Sequence, residues 1–110
     1  LQAVCHHQQT NPLAAPGTAD LTAHLDFEAL YNAASAAGLR PTRLATQGVF
    51  LERLGMTQRA QILAKSLRNA ALESHIAAHR RLTHPDEMGR LFKVMGLVAE
   101  GAAVPPGLEP

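Results

Sequence analysis

Four side chains able to take part in acid–base or hydrogen-bonding chemistry occupy every second position from residue 20 to residue 26: Asp20, Thr22, His24 and Asp26. Apolar residues stand between them. If this segment is extended, all four side chains point to one face. A polar wall directly before a helix N-terminus is a place where substrate-contacting groups are often found. The spacing alone favours a simpler interpretation, in which Asp26 caps the helix and the preceding residues face water.

Two histidine pairs and one cysteine are the other candidates. His75 and His79 stand four apart on a predicted helix, so both could face one metal ion. No third ligand has a suitable spacing, and we therefore expect two partly exposed histidines and no metal site. His6 and His7 are adjacent, so on a strand they would point to opposite faces. Cys5 has no catalytic neighbours in sequence and is interpreted as a small buried hydrophobic residue.

The usual motifs of a cofactor site or a nucleophile are missing from the sequence. There is no Gly-x-Gly loop after a strand, and no acidic residue about 20 positions further on to hold a ribose. No Ser or Cys stands in a recognisable nucleophile turn. Taken alone, the chain has no site that could run a reaction. One alternative is therefore a small helical interaction module without catalytic activity, formed by residues 46–82.

Charge and composition exclude several classes of function. Ten Lys and Arg residues balance nine Asp and Glu residues, for a net charge of +1, which gives no electrostatic case for binding nucleic acid. No apolar run approaches the roughly 18–20 residues that span a membrane. A single cysteine fits a reducing compartment. Alanine supplies much of the apolar content, so the core is thin, and we expect the chain to lean on further protein.

Hydrophobic patterning predicts an alternation of strands and helices. The predicted strands are 1–7, 39–45 and 91–98, the last buried on both faces. The predicted helices begin after Asp26, Thr46 and Thr57, and a fourth runs over 69–82. Residues 8–19 are predicted to form a loop and residues 101–110 a loose tail. This order indicates an α/β architecture in which about three strands need further strands beside them.

Five blocks of sequence carry a family resemblance: residues 1–4, 20–27, 46–51, 81–89 and 91–94. In this order and spacing they resemble the C-terminal part of the MidA-type S-adenosylmethionine-dependent methyltransferases. That family includes a mitochondrial assembly factor of respiratory complex I. The resemblance covers almost the whole chain, and the ordered set of blocks is far more specific than any one of them.

The resemblance implies a Rossmann-like class I methyltransferase fold, of which residues 1–110 would be the C-terminal part of a single domain, mostly helical with about three strands. It implies S-adenosylmethionine as the methyl donor. The family's Gly-rich cofactor loop and an Asp-Tyr-Gly strand would precede Leu1. The chain would then contribute no cofactor-binding residue and would be inactive on its own.

The resemblance also implies a substrate and a place of action. The expected activity is protein arginine methylation linked to complex I assembly, with a protein substrate such as a complex I subunit. We expect a bacterial cytoplasmic location, or a mitochondrial one in a eukaryote, and a homodimer is compatible with the sequence. In such an enzyme an acidic or imidazole side chain orients or deprotonates the guanidinium. By position in the fold, the substrate-side candidates are His24, Asp20, Asp26 and Thr22.

Overall fold

The computed structural model describes residues 1–110 and contains five helices and seven short strands. The strands are β1 (Gln2–Cys5), β2 (Gln8–Thr10), β3 (Asp20–Thr22), β4 (Leu39–Pro41), β5 (Ala45–Thr46), β6 (Lys93–Val94) and β7 (Leu97–Ala99). The helices are α1 (Phe27–Ala36), α2 (Gln47–Arg53), α3 (Met56–Ala64), α4 (Asn69–Thr83) and α5 (Met88–Leu91). The mixed α/β class is as predicted, but the strands are more numerous and shorter than the three expected. None of the helices is both long and apolar enough to cross a membrane.

The chain forms two compact units, Leu1–Asn32 and Ala33–Pro110. Unit 1 is a three-stranded antiparallel sheet in the order β2-β1-β3. β1 lies within the strand predicted at 1–7, which was predicted too long by the two turn residues, and residues 8–10 were wrongly predicted as loop. His6 and His7 have φ angles of 49° and 62° and form the two-residue turn of the hairpin that joins β1 to β2. Such a turn needs positive φ at both positions and usually contains Asn or Gly, so the His-His pair gave no turn signal.

Helix α1 begins and ends where the sequence predicts. The Asp26 Oδ1 atom accepts the backbone N–H groups of Glu28 and Ala29 at 3.0 and 3.1 Å, which is a side-chain N-cap. At the other end Gly38 has a φ of 80°, the left-handed conformation that terminates a helix without a steric penalty. Both ends are therefore determined by residues next to the helix itself.

In unit 2 the strands predicted at 39–45 and 91–98 pair with each other, but each is divided into two short strands. β4 pairs with β7 and β5 with β6, both antiparallel. Between the pieces, Gly96 accepts the Thr42 N–H at its carbonyl oxygen, and the Thr42 hydroxyl accepts the Gly96 N–H. A side-chain oxygen thus replaces a backbone acceptor and interrupts the ladder. The prediction of one strand over 91–98, buried on both faces, is wrong, since Leu91 ends α5 and Leu97 is 42% exposed.

The three helices predicted in unit 2 occur in the predicted order, but neither Thr46 nor Thr57 caps its helix through its side chain, and α5 was not predicted. Gly55, with a φ of 82°, occupies the N-cap position of α3, so Thr57 lies inside the first turn and does not cap the helix. Thr46 occupies the N-cap position of α2 in an extended conformation but makes no capping hydrogen bond through its side chain. Helix α4 agrees with the prediction to within one residue.

The end of the chain differs from the loose tail that was predicted. Leu108 is only 6% exposed, and the carbonyl oxygen of Glu109 accepts a hydrogen bond from Arg53 Nη1 at 2.8 Å. The Pro and Gly content predicted a mobile tail, but the apolar side chain of Leu108 is buried. Buried apolar residues are few, as expected from the alanine content: Ala3 in unit 1, and Ala34, Val98 and Leu108 in unit 2.

Candidate functional site

The predicted polar wall at 20–26 is only partly built. Asp20 and Thr22 lie in β3, opposite Val4 and Gln2 of β1. Residues directly opposite one another in an antiparallel pair point to the same face, so the Asp20 and Thr22 side chains share one face of the sheet. β3 ends at Thr22, and His24 lies in the connection to α1. Strand pairing therefore defines the facing of Asp20 and Thr22.

The Asp26 side chain caps the N-terminus of α1. Its carboxylate already accepts two backbone N–H groups of α1, so proton transfer through this oxygen would compete with the cap. Of the two interpretations of Asp26, a helix cap or a substrate-contacting group, the structure shows the helix cap. Asp20, Thr22 and His24 are all exposed to solvent, and their side chains are open to an incoming molecule.

A second polar cluster, which the sequence did not indicate, joins three helices of unit 2. Thr57 Oγ1 of α3 donates a hydrogen bond to Glu52 Oε1 of α2. His79 Nε2 of α4 lies 3.0 Å from the same Thr57 oxygen and 3.9 Å from Glu52 Oε1. The three residues are separated by up to 27 positions in the chain, so no local pattern could reveal them.

The direction of these hydrogen bonds decides what the cluster can do. An ionised carboxylate only accepts hydrogen bonds, so the Thr57 hydroxyl donates to Glu52. The remaining lone pair of the Thr57 oxygen then accepts the N–H of His79 Nε2. A histidine that activates a hydroxyl must have the opposite arrangement, with a bare nitrogen facing the hydroxyl proton. The cluster therefore links α2, α3 and α4 and does not form a nucleophile with its base.

The predicted histidine pair on α4 faces the neighbouring helix. His75 Nε2 donates to the Ala60 carbonyl oxygen of α3 at 2.9 Å, and His79 contacts Thr57 as described. No group of three or more His, Cys, Asp or Glu side chains lies together in a way that could hold a metal ion. The two histidines thus connect α3 and α4.

Two of the family-like blocks meet in space at a junction of α2, α4 and α5. A Cβ atom on Gly48 would lie 2.5 Å from the Thr83 carbonyl oxygen, and one on Gly89 would lie 2.0 Å from it. The side-chain amide of Gln47 also donates to the Leu82 carbonyl oxygen at 2.8 Å. We call these residues the glycine junction. It brings residues 46–51 against 81–89 with main chain in contact with main chain.

The residues present do not fit an S-adenosylmethionine pocket. Such a pocket needs glycines that admit the cofactor to the backbone and an acidic residue for the ribose. Gly48 and Gly89 line an open depression, but the space left by their missing side chains is filled by the Thr83 carbonyl. Gly48 and Gly89 therefore do not form a binding site for the methyl donor.

Comparison with known proteins identifies relatives of the chain. Residues 1–45, which include the polar segment at 20–26, match the family model described as "Putative S-adenosyl-L-methionine-dependent methyltransferase". Three relatives are named protein arginine methyltransferase NDUFAF7, mitochondrial, or its homolog. The Xenopus laevis protein is 35% identical over 95 residues, the human protein 34% over 97 and the Drosophila melanogaster homolog 34% over 93.

These alignments cover most of the chain but a small part of each relative. They include 84%, 86% and 83% of this chain, respectively, and 21% of each relative. The chain thus spans about one fifth of the length of the curated relatives it matches. Together the matched family model and these alignments show that the chain is similar to S-adenosyl-L-methionine-dependent methyltransferases.

Proposed function

We propose that these residues form the C-terminal part of a single Rossmann-like methyltransferase domain that transfers a methyl group from S-adenosylmethionine to arginine side chains of a protein. The observation that carries this proposal is the alignment of more than four fifths of the chain, at 34–35% identity, with proteins named as arginine methyltransferases. The glycine junction supports the proposal further. There residues 46–51 pack against residues 81–89, so two family-like blocks that are separate in sequence are in contact in the structure.

In this proposal the cofactor is bound mainly by residues outside these 110. The support is chemical, since the glycines of the chain's open depression are used for main-chain packing. The role of this chain is then to complete the fold and to present side chains to the protein substrate.

The substrate-side group is Asp20 with His24, supported by Thr22 and positioned by Asp26. A carboxylate is the natural partner of a guanidinium, which it binds through two parallel N–H···O bonds. An imidazole near neutral pH can accept the proton that the guanidinium loses on methylation. Asp20 and His24 are both exposed, and the Asp26 cap fixes where the connection carrying His24 enters α1.

The proposed partner is a protein with an accessible arginine, such as a complex I subunit. The relatives with this name are mitochondrial, so we propose a mitochondrial location in a eukaryote and a cytoplasmic one in a bacterium. We also propose that the protein forms a homodimer.

Calorimetric titration with S-adenosylmethionine tests where the cofactor lies. The 110-residue chain should release no heat of binding, and a longer protein that carries the Gly-rich loop before residue 1 should bind. If the 110-residue chain binds S-adenosylmethionine and a substitution within it abolishes binding, the cofactor site lies within residues 1–110. That result would refute the proposal that other residues bind the cofactor.

A second candidate is a helical interaction module formed by residues 46–82. The observation in its favour is apolar side chains exposed on α3 and α4: Ile62 is 64%, Leu63 43% and Ile76 57% exposed. Light scattering separates the two candidates. A non-aggregating species with a cooperative melt favours the module, whereas self-association through exposed apolar surface favours a segment of a larger domain.

A further inference from the structure

Strand β3 is an open edge of the sheet in unit 1. The strand order is β2-β1-β3, so β3 pairs with β1 on one side and with no strand on the other. Successive residues of an antiparallel edge strand alternate in pointing their N–H and C=O groups toward the partner strand and away from it. At least one residue of Asp20–Thr22 therefore offers both groups to an incoming strand, and all three residues are exposed.

The charge of unit 1 indicates the sign of the partner that this edge attracts. Residues 1–32 contain three acidic residues, Asp20, Asp26 and Glu28, and no Lys or Arg, so their net charge is −3. All ten Lys and Arg residues and the other six acidic residues lie in unit 2, whose net charge is +4. The three carboxylates of unit 1 are all exposed. They attract a cationic segment and repel an acidic one.

The opposite edge of the same sheet, β2, differs from β3 in its chemistry. Gln9 and Asp20 both lie opposite Val4, one on each side of β1, so they stand at the same level of the sheet and on the same face. β2 carries only neutral side chains, and Pro12, which has no N–H group, follows it after one residue. Of the two edges, β3 is thus the one that combines open main-chain groups with a carboxylate.

The two faces of β3 also differ from each other. Asp20 and Thr22 share one face, whereas Leu21 points to the other face and is 61% exposed. The side chains of a strand added beside β3 alternate in the same way, so they meet a polar, acidic face and an apolar face in turn. The segment that complements β3 is therefore extended and alternates basic with apolar residues.

We propose that β3 binds the protein substrate as an added strand. An extended, basic segment pairs its main chain with Asp20–Thr22, places an arginine on the Asp20 face and places an apolar residue against Leu21. This inference rests on the proposed function, which identifies the cationic residue as the arginine that is methylated. Main-chain pairing supplies affinity, and the alternation of side chains supplies selectivity. The substrate class is thereby narrowed from an accessible arginine to an arginine in an extended, alternating segment.

Two peptides of identical composition and charge test the alternation, with the intact longer protein as the enzyme. One has the core Lys-Val-Arg-Val-Lys, which places valines on the face opposite the arginine, and the other has the core Val-Lys-Arg-Lys-Val, which places lysines there. Electrostatic attraction alone treats the two peptides alike. Strand addition predicts that the first binds more tightly and is methylated with a kcat/KM higher by about tenfold.

The two measurements separate this inference from the proposed function. Methylation of both peptides with equal kcat/KM would overturn strand addition and leave the methyltransferase proposal intact. Selective binding of the alternating peptide without methyl transfer would support strand addition and reject the proposed activity.

Hydrogen exchange in the same longer protein locates the bound peptide. At least one amide of residues 20–22 should exchange rapidly in the free protein and about tenfold or more slowly with saturating alternating peptide, whereas residues 8–10 stay within about twofold. Asp20→Asn should weaken peptide binding by about three- to tenfold, and Gln9→Asn, a neutral change at the same level of β2, should leave it unaltered.

Two outcomes of the exchange experiment would overturn the proposal. Protection of residues 8–10 in place of residues 20–22 would move the peptide to the other edge. Slow exchange of all three amides of β3 before the peptide is added would show that the protein's own chain already covers this edge.

Discussion

Replacing Gly89 by alanine should damage the glycine junction more than any other single methyl addition in the chain. The added Cβ would lie 2.0 Å from the Thr83 carbonyl oxygen and 2.4 Å from its carbon, so α5 and the end of α4 must separate. Overpacking costs about 1–3 kcal/mol. The separation also strains the bond from the Gly89 N–H to the His84 carbonyl at 3.0 Å, worth about 0.5–1.5 kcal/mol. Alanine's better helix propensity offsets up to about 1 kcal/mol.

The middle of these ranges gives an expected loss in the free energy of unfolding of about 2.5 kcal/mol, measured by urea denaturation followed by the helical circular dichroism signal. Gly48→Ala, with its nearest contact at 2.5 Å, should lose less, and Gly17→Ala is the control. A Cβ on Gly17 meets nothing within 4 Å, and that variant carries only the penalty of about 1–2 kcal/mol for alanine at its left-handed φ of 86°. If Gly89→Ala is no less stable than Gly17→Ala, the close packing of α2, α4 and α5 is wrong.

Three further substitutions test the other assignments. Asp26→Ala removes the cap of α1 and should cost about 1 kcal/mol of unfolding free energy, whereas the exposed Asp20→Ala should stay within about 0.5 kcal/mol; equal losses would reject the cap. Thr57→Val leaves the His79 N–H without its acceptor and should cost about 1–3 kcal/mol, and nitrogen NMR of the native protein should find the His79 proton on Nε2. A proton on Nδ1 alone would reverse the assigned hydrogen bonds. In the longer protein, His24→Ala should lower arginine methylation by about 10²–10⁴-fold and leave S-adenosylmethionine affinity unchanged; unaltered methylation would remove His24 from the site.

Elements whose ends depend on adjacent residues were predictable from sequence. Asp26 and Gly38 delimit α1 because a cap oxygen and a left-handed glycine act on the backbone within a few positions. The same holds for Gly55 at the end of α2. The family-like blocks were also readable in sequence, since their order and spacing need no three-dimensional information.

Features that depend on distant residues were not predictable. The Thr57 hydroxyl takes its role from Glu52 and His79 on other helices, and Leu108 takes its place in the core because residue 96 is glycine. The strand predicted at 91–98 is wrong at its start because Leu91 belongs to α5, and it is divided at Gly96, whose N–H donates to the Thr42 hydroxyl from 54 positions away. In the segment 20–26, β3 contains Asp20 and Thr22, and Asp26 caps α1; the role of this segment in a site stays a prediction.

Methyl transfer by the intact longer protein tests the central claim most directly. Tritiated S-adenosylmethionine is supplied with a protein substrate, and label on arginine is measured for the intact protein, for the protein lacking these 110 residues and for the 110-residue chain alone. The account predicts label on arginine with the intact protein and none with either part. Arginine methylation by the protein lacking these residues, or by the chain alone, would contradict it.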